Sequence, residues 1–252
     1  MDSDINLNDF DLKKITNLDL EFYMETTNFL ITQKACTECL RFSRMISMLG
    51  GPGFGKSNAL TYFANNNANT YYVLVSESMS PRELLIKILE VMGFQNKHSS
   101  SSVYNLIQSI GYFLSTEAKK SLLIIDEAGR LSNKNLMNFH DLRNSLNKSA
   151  GIMFVGPFYF KSKIENMVRK NVQGIPELNS RINSWISLEC PTLAEQAEYC
   201  FHRGILNKRI ANSLIIRDQN LRKLKERIDE IGITVIEMLE SKESNHSKNG
   251  LE

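Results

Sequence analysis

Short apolar runs recur along the first three quarters of the chain, separated by stretches in which apolar residues return every three or four positions. The runs predict strands near 44–50, 70–76, 121–127, 151–156 and 184–189. The spaced stretches predict helices near 57–66, 81–93, 103–116, 132–147 and 158–170. Ser80-Pro81-Arg82-Glu83 marks one helix start, with a serine cap, proline at the first position and a carboxylate in the first turn. Such alternation predicts an α/β fold, a five-stranded parallel sheet with crossover helices. After Cys190-Pro191-Thr192 the strand-like runs stop and helical periodicity continues to about Leu239. Leu221, Leu224, Ile228 and Ile231 are spaced as one amphipathic face, so a small C-terminal helical lid is expected. The boundaries expected are an N-terminal extension at 1–24, an α/β core at 25–190, the lid at 191–240 and a polar, flexible tail at 241–252.

Chemistry enters with Gly50-Gly51-Pro52-Gly53-Phe54-Gly55-Lys56-Ser57. This G-x-x-x-x-G-K-S segment lies between the first strand and the first helix, the setting of a phosphate-binding loop of nucleoside triphosphatases. The glycines allow backbone N–H groups to approach phosphates closely, and the helix opening at Lys56 adds its positive end. Lys56 would reach the β- and γ-phosphates, and the Ser57 hydroxyl would hold Mg²⁺. The run Ser121 to Ile125 ends in Asp126-Glu127, at the carboxyl end of a strand where ligands of parallel sheets gather. Asp126 suits a Mg²⁺ contact, direct or through water, and Glu127 suits the base that activates the attacking water. A lone Asp-Glu after a strand is ordinarily a solvated turn; with the loop upstream, the pair points to ATP hydrolysis.

Composition narrows the class. Of 252 residues, 42% are apolar and 23% charged, ordinary values for a globular protein. No stretch approaches the roughly 18–20 apolar residues of a membrane span, and the acidic N-terminus is unlike a secretory signal. Four cysteines do not make a disulfide scaffold, so a cytoplasmic protein is expected. Cys36-x-x-Cys39 has no second pair at zinc spacing and is better read as two helix-face cysteines. The net charge is only +2, but between Ala128 and Asn183 nine lysines and arginines oppose three acids. Such a basic middle is the footprint of phosphate-backbone contact, or else a solvated helix face. Lys134, Lys161, Lys163, Arg169 and Lys170 are the candidate DNA contacts.

A phosphate loop, a second acidic strand, an arginine near a fifth strand and a helical lid together resemble the AAA+ ATPases, over roughly residues 25 to 240. Phe29-Leu30-Ile31-Thr32-Gln33, His140-Asp141-Leu142-Arg143 and the short lid are similar to the DNA-transposition helper ATPases. Those are bacterial and phage relatives of the phage Mu transposition protein B and the Tn7- and IS21-type helpers. The resemblance implies ATP and Mg²⁺ as cofactors, a homo-oligomer, non-specific double-stranded DNA and a transposase as partners. It makes Arg181, within Leu178-Asn179-Ser180-Arg181-Ile182, the finger that completes a neighbouring subunit's site. It makes Arg222, within Asn220-Leu221-Arg222-Lys223-Leu224, a contact to the ATP of its own subunit. One position departs from the pattern. The fourth strand ends Val155-Gly156-Pro157-Phe158, without the polar residue that positions water in these enzymes, while Asn144 sits on the preceding helix. Slow, switch-like hydrolysis is therefore expected. Two other functions remain open: a switch ATPase acting on a protein partner, and a replication initiator or loader.

Overall fold

In the computed structural model, residues 6–94, 101–116, 120–146 and 149–249 are described, with side chains to 242. The two ends of the expected extension and tail, residues 1–5 and 250–252, lie outside them. The strands are β1 (Met45–Leu49), β2 (Thr70–Leu74), β3 (Ser121–Asp126), β4 (Ala150–Gly156) and β5 (Ser184–Ser187). The helices are α1 (Leu12–Ile15), α2 (Thr27–Phe42), α3 (Lys56–Asn66), α4 (Pro81–Val91), α5 (Val103–Thr116), α6 (Asn133–Ser145), α7 (Tyr159–Arg169), α8 (Ile175–Arg181), α9 (Leu193–His202), α10 (Lys208–Leu214) and α11 (Leu221–Asn249).

All five strands are parallel, in the order β2-β3-β4-β1-β5. The three inner strands are buried at every position, whereas the edge strands β2 and β5 are only partly covered. A strand covered on both faces has no polar side to show, which is why the inner strands appear in the sequence as unbroken apolar runs. The predicted cap of α4 is present: Glu83 N donates to Ser80 Oγ at 3.3 Å and Ser80 N to the Glu83 carboxylate at 2.7 Å. Helix α8 was not among the predicted elements, and of α2 only the part around the helix-face cysteines Cys36 and Cys39 was expected. On α2 the buried residues include Asn28, Thr32, Cys36 and Cys39, too polar or too small to give an apolar rhythm. Cys36 and Cys39 do lie on its buried face, and burial pushes the Cys39 thiol up to about 12.

The chain divides into two compact units. One comprises Asn28–Gly51 and Gly55–Glu189, the sheet and helices α2 to α8, with buried apolar residues on both faces of the inner strands. The other gathers the N-terminal segment through Thr27, the loop tip Pro52–Phe54 and the chain from Cys190 onward. In this helical unit Phe10 and Ile15 pack with Cys200, Ile205, Leu214, Leu224 and Ile228, so the expected amphipathic face of α11 is its core. Arg203 is 1% exposed there; it pairs with Asp229 and donates to the carbonyls of Leu18 and Leu20, each at 3.2 Å. The N-terminal segment is thereby fastened to α9 and α11. Helix α11 runs to Asn249, beyond the Leu239 at which its periodicity predicted an end and through most of the stretch expected as a flexible tail.

Candidate nucleotide site

At the carboxyl end of β1, Gly50 N donates to the Gly156 carbonyl at the end of β4, 3.0 Å away. The chain then turns through Gly53 and Gly55, whose φ values of 71° and 83° are left-handed and suit glycine. Gly55 is the N-cap of α3 and caps it with no side chain, so the positive end of the helix opens on the loop. Lys56 Nζ folds over the loop, donating to the carbonyls of Gly50 and Gly51 at 2.7 Å each.

Asp126 closes β3 and is 1% exposed. Its Oδ2 accepts from Ser57 Oγ at 2.8 Å and Tyr72 Oη at 2.7 Å, and its Oδ1 accepts from Glu127 N at 2.8 Å. A hydroxyl and a carboxylate this close, beside a lysine and a helix start, match the ligand set that Mg²⁺ takes with phosphates, so Mg²⁺ and a nucleoside triphosphate fit the residues present. Tyr72 was not anticipated. Its phenol is held well above its usual range, first by burial and then by the Asp126 charge, so it stays a donor. The only signal in the sequence was a tyrosine in β2; placing it against Asp126 needs β2 and β3 to be neighbours.

Glu127 has φ 59°, left-handed backbone that non-glycine residues seldom adopt. It is half-buried, and its Oε2 lies 3.7 Å from Arg130 Nε. The loop that follows is tied down by Lys163, whose Nζ donates to Gly129 O at 3.0 Å and Leu131 O at 2.6 Å. Burial lowers the pKa of this lysine. Lys163, one of the expected DNA contacts, is half-buried and has its ammonium engaged by these two backbone carbonyls. Of the other four, Lys161 pairs with Glu165 at 3.8 Å, Arg169 bonds Asn166, and Lys134 and Lys170 are exposed. Lys134 lines a cavity of about 630 Å³ together with Ser80, Arg82, Asn138 and Gln173.

Arg181 ends α8, and its guanidinium donates to Asn144 Oδ1 and to the His140 carbonyl at 3.4 Å, both on α6. These bonds do not bring it to Lys56 or Asp126 of its own chain. In the helical unit, Arg222 is exposed in the first turn of α11 beside the loop tip. Leu221 N donates to Gly53 O at 3.1 Å, and a Cβ on Gly53 would meet Asn220 Oδ1 at 2.7 Å and Arg222 Cβ at 3.0 Å.

The strand order, the loop after β1 and the acid pair after β3 define an α/β fold of the AAA+ P-loop class. Residues 42–162, from the end of α2 into α7, match the AAA domain family. Among solved structures, the chain is similar to the ORC2 protein of Aeropyrum pernix in ADPNP–ADP complexes, with TM-score 0.64 and 14% identity over 92% of this chain and 68% of that one. The ORC1 protein of the same organism in complex with DNA has TM-score 0.66 and 12% identity over 93% of this chain and 66% of that one. Domain III of the Thermotoga maritima replication initiation protein DnaA has TM-score 0.51 and 14% identity over 92% and 90%. At these identities the likeness defines the fold, and this chain spans about two thirds of the ORC proteins. The chain has no match among curated protein sequences. Among the described residues no helix is long and apolar enough to cross a membrane.

Proposed function

We propose that this chain is a slow, Mg²⁺-dependent ATPase that assembles with copies of itself on double-stranded DNA and there recruits or activates a second protein. The sequence resemblance makes that protein a transposase and the setting the bacterial cytoplasm. The observation that carries the ATPase assignment is the bond of Ser57 to Asp126 at 2.8 Å beside Lys56, with Glu127 the next residue. Lys56 would neutralise the β- and γ-phosphates, Ser57 and Asp126 would hold Mg²⁺, and Glu127 would orient the attacking water. Arg181 would complete the site of a neighbouring copy, and Arg222, set beside Gly53, would contact ATP from its own chain. The end of β4 at Gly156-Pro157 supplies no side chain to position water, which supports slow turnover. A second function, that of a replication initiator or loader, is favoured by the likeness to ORC1 bound to DNA and to DnaA domain III.

Sedimentation of Glu127→Gln with ATP and Mg²⁺, with and without a random-sequence duplex, tests the proposal. Large assemblies that need ATP and are promoted by duplex are expected. Assemblies indifferent to DNA, or a persistent monomer, would replace it with a switch that acts on a protein partner. Addition of a transposase against a helicase then separates the two DNA functions.

A further inference from the structure

The loop Gly50–Ser57 and Asp126 occupy the carboxyl edge of the parallel sheet. The amino edge, where β1, β3 and β4 begin, carries a separate concentration of positive charge. Helix α2 ends at Phe42, and the chain turns through Ser43, which is 1% exposed with φ 49°, into Arg44 and β1. That turn leaves Phe42 59% exposed, with the Arg41 and Arg44 guanidinium carbons 5.5 and 5.8 Å from its ring centroid. Lys120, immediately before β3, donates to the Arg41 carbonyl at 2.8 Å. Arg143 donates to the carbonyls of Ser43 at 2.7 Å and Ala150 at 2.9 Å, which fixes the base of the turn. Burial, and after it the neighbouring Arg181, lowers the Arg143 pKa. Among the described residues, Glu38 is the carboxylate paired with one of these groups, Arg44.

An exposed phenylalanine gains little by itself in water. Two guanidiniums held near its ring are another matter: cation–π contact of about 0.5–1 kcal/mol each at an exposed site keeps them together despite their repulsion. Charged groups so organised lose less side-chain freedom when they engage an anion. Guanidinium forks and an ammonium, all exposed, suit phosphate oxygens.

We propose that the amino edge of the sheet, through Arg41, Arg44 and Lys120 gathered around Phe42, is a contact surface for the phosphate backbone of DNA. It rests on the DNA-binding part of the proposed function and places that binding away from the nucleotide site. Glu38 competes with phosphate for Arg44 and so tempers the affinity.

Anisotropy of a labelled random-sequence duplex, titrated with full-length protein over a range of salt, tests it. The combined Arg41→Glu, Arg44→Glu and Lys120→Glu variant should bind at least about tenfold more weakly. Its slope of log affinity against log salt should be shallower by about 2–3, since every phosphate left without its cation takes roughly 0.9 off the slope. Unchanged ATP affinity in that variant certifies its fold. Glu38→Gln should bind the duplex several-fold more tightly, because it frees Arg44. Wild-type affinity and slope in the combined variant would overturn the assignment. Wild-type protein that binds no duplex at any salt would instead remove the DNA-binding function itself. Wild-type capture by anionic vesicles that duplex cannot compete away would overturn the proposal in favour of a membrane surface.

Discussion

Tyr72 and Ser57 converge on one atom, the Oδ2 of Asp126, from β2 and from the first turn of α3 at 2.7 and 2.8 Å. The carboxylate is therefore held facing the serine before any cation arrives. Tyr72→Phe should cost about 1–3 kcal/mol in urea unfolding without nucleotide, the worth of a buried hydrogen bond to a charged group. It should also raise the Mg²⁺ concentration for half-maximal ATPase several-fold. An unchanged Mg²⁺ dependence would mean that Tyr72 serves the fold alone.

Lys163 reaches the carbonyls of Gly129 and Leu131 and so supports the turn that presents Glu127. Lys163→Met should destabilise the protein by about 1–3 kcal/mol, since it strips a charged donor from two carbonyls. ATP turnover should fall with it, while duplex affinity of the folded protein stays the same. A loss of DNA binding with normal turnover would return this lysine to the DNA surface.

Gly53 has φ 71° and stands where a Cβ would meet Asn220 Oδ1 at 2.7 Å. Gly53→Ala combines left-handed strain with that contact, and a loss of about 1–2 kcal/mol is expected in thermal or urea melts. A neutral result would show that the start of α11 gives way readily.

Glu195 answers to pH. Burial would raise its pKa, but the N–H groups of Thr27 at 2.6 Å and Thr192 at 2.8 Å hold it below the usual value. A carboxylate depressed in the folded state adds stability above its unfolded pKa of about 4.3 and loses it as pH falls through the lower folded value. Glu195→Gln should thus be clearly less stable than wild type at pH 7, with the gap closing under acid. A gap independent of pH would assign the loss to packing.

How legible each element was depended on what buries it. The inner strands, covered on both faces, appear in the sequence within a residue or two of their ends, as with Ser121–Asp126 and Ala150–Gly156. Helix α2 hides its core behind Asn28, Thr32 and two cysteines, and α8 has only seven residues and opens on Ile175-Pro176. The phosphate loop and acid pair were legible because each occupies a continuous segment. Tyr72 was not, for its part depends on a neighbouring strand, and Lys163 looked like any other base until its backbone partners were visible. Nothing in local pattern marks Arg203 as buried, since Asp229 and the carbonyls of Leu18 and Leu20 come from distant segments.

The left-handed backbone of Glu127 sets the proposed hydrolysis against durability. A residue with a side chain is strained there by about 1–2 kcal/mol, and glycine would relieve most of it. Glu127→Gly should therefore melt at the same temperature as wild type or higher, although its greater freedom in the unfolded chain offsets part of the gain. It should at the same time abolish ATP turnover. Resistance to heat alone would be served better by glycine at this position, whereas the proposed hydrolysis needs the carboxylate and bears the strain that comes with it.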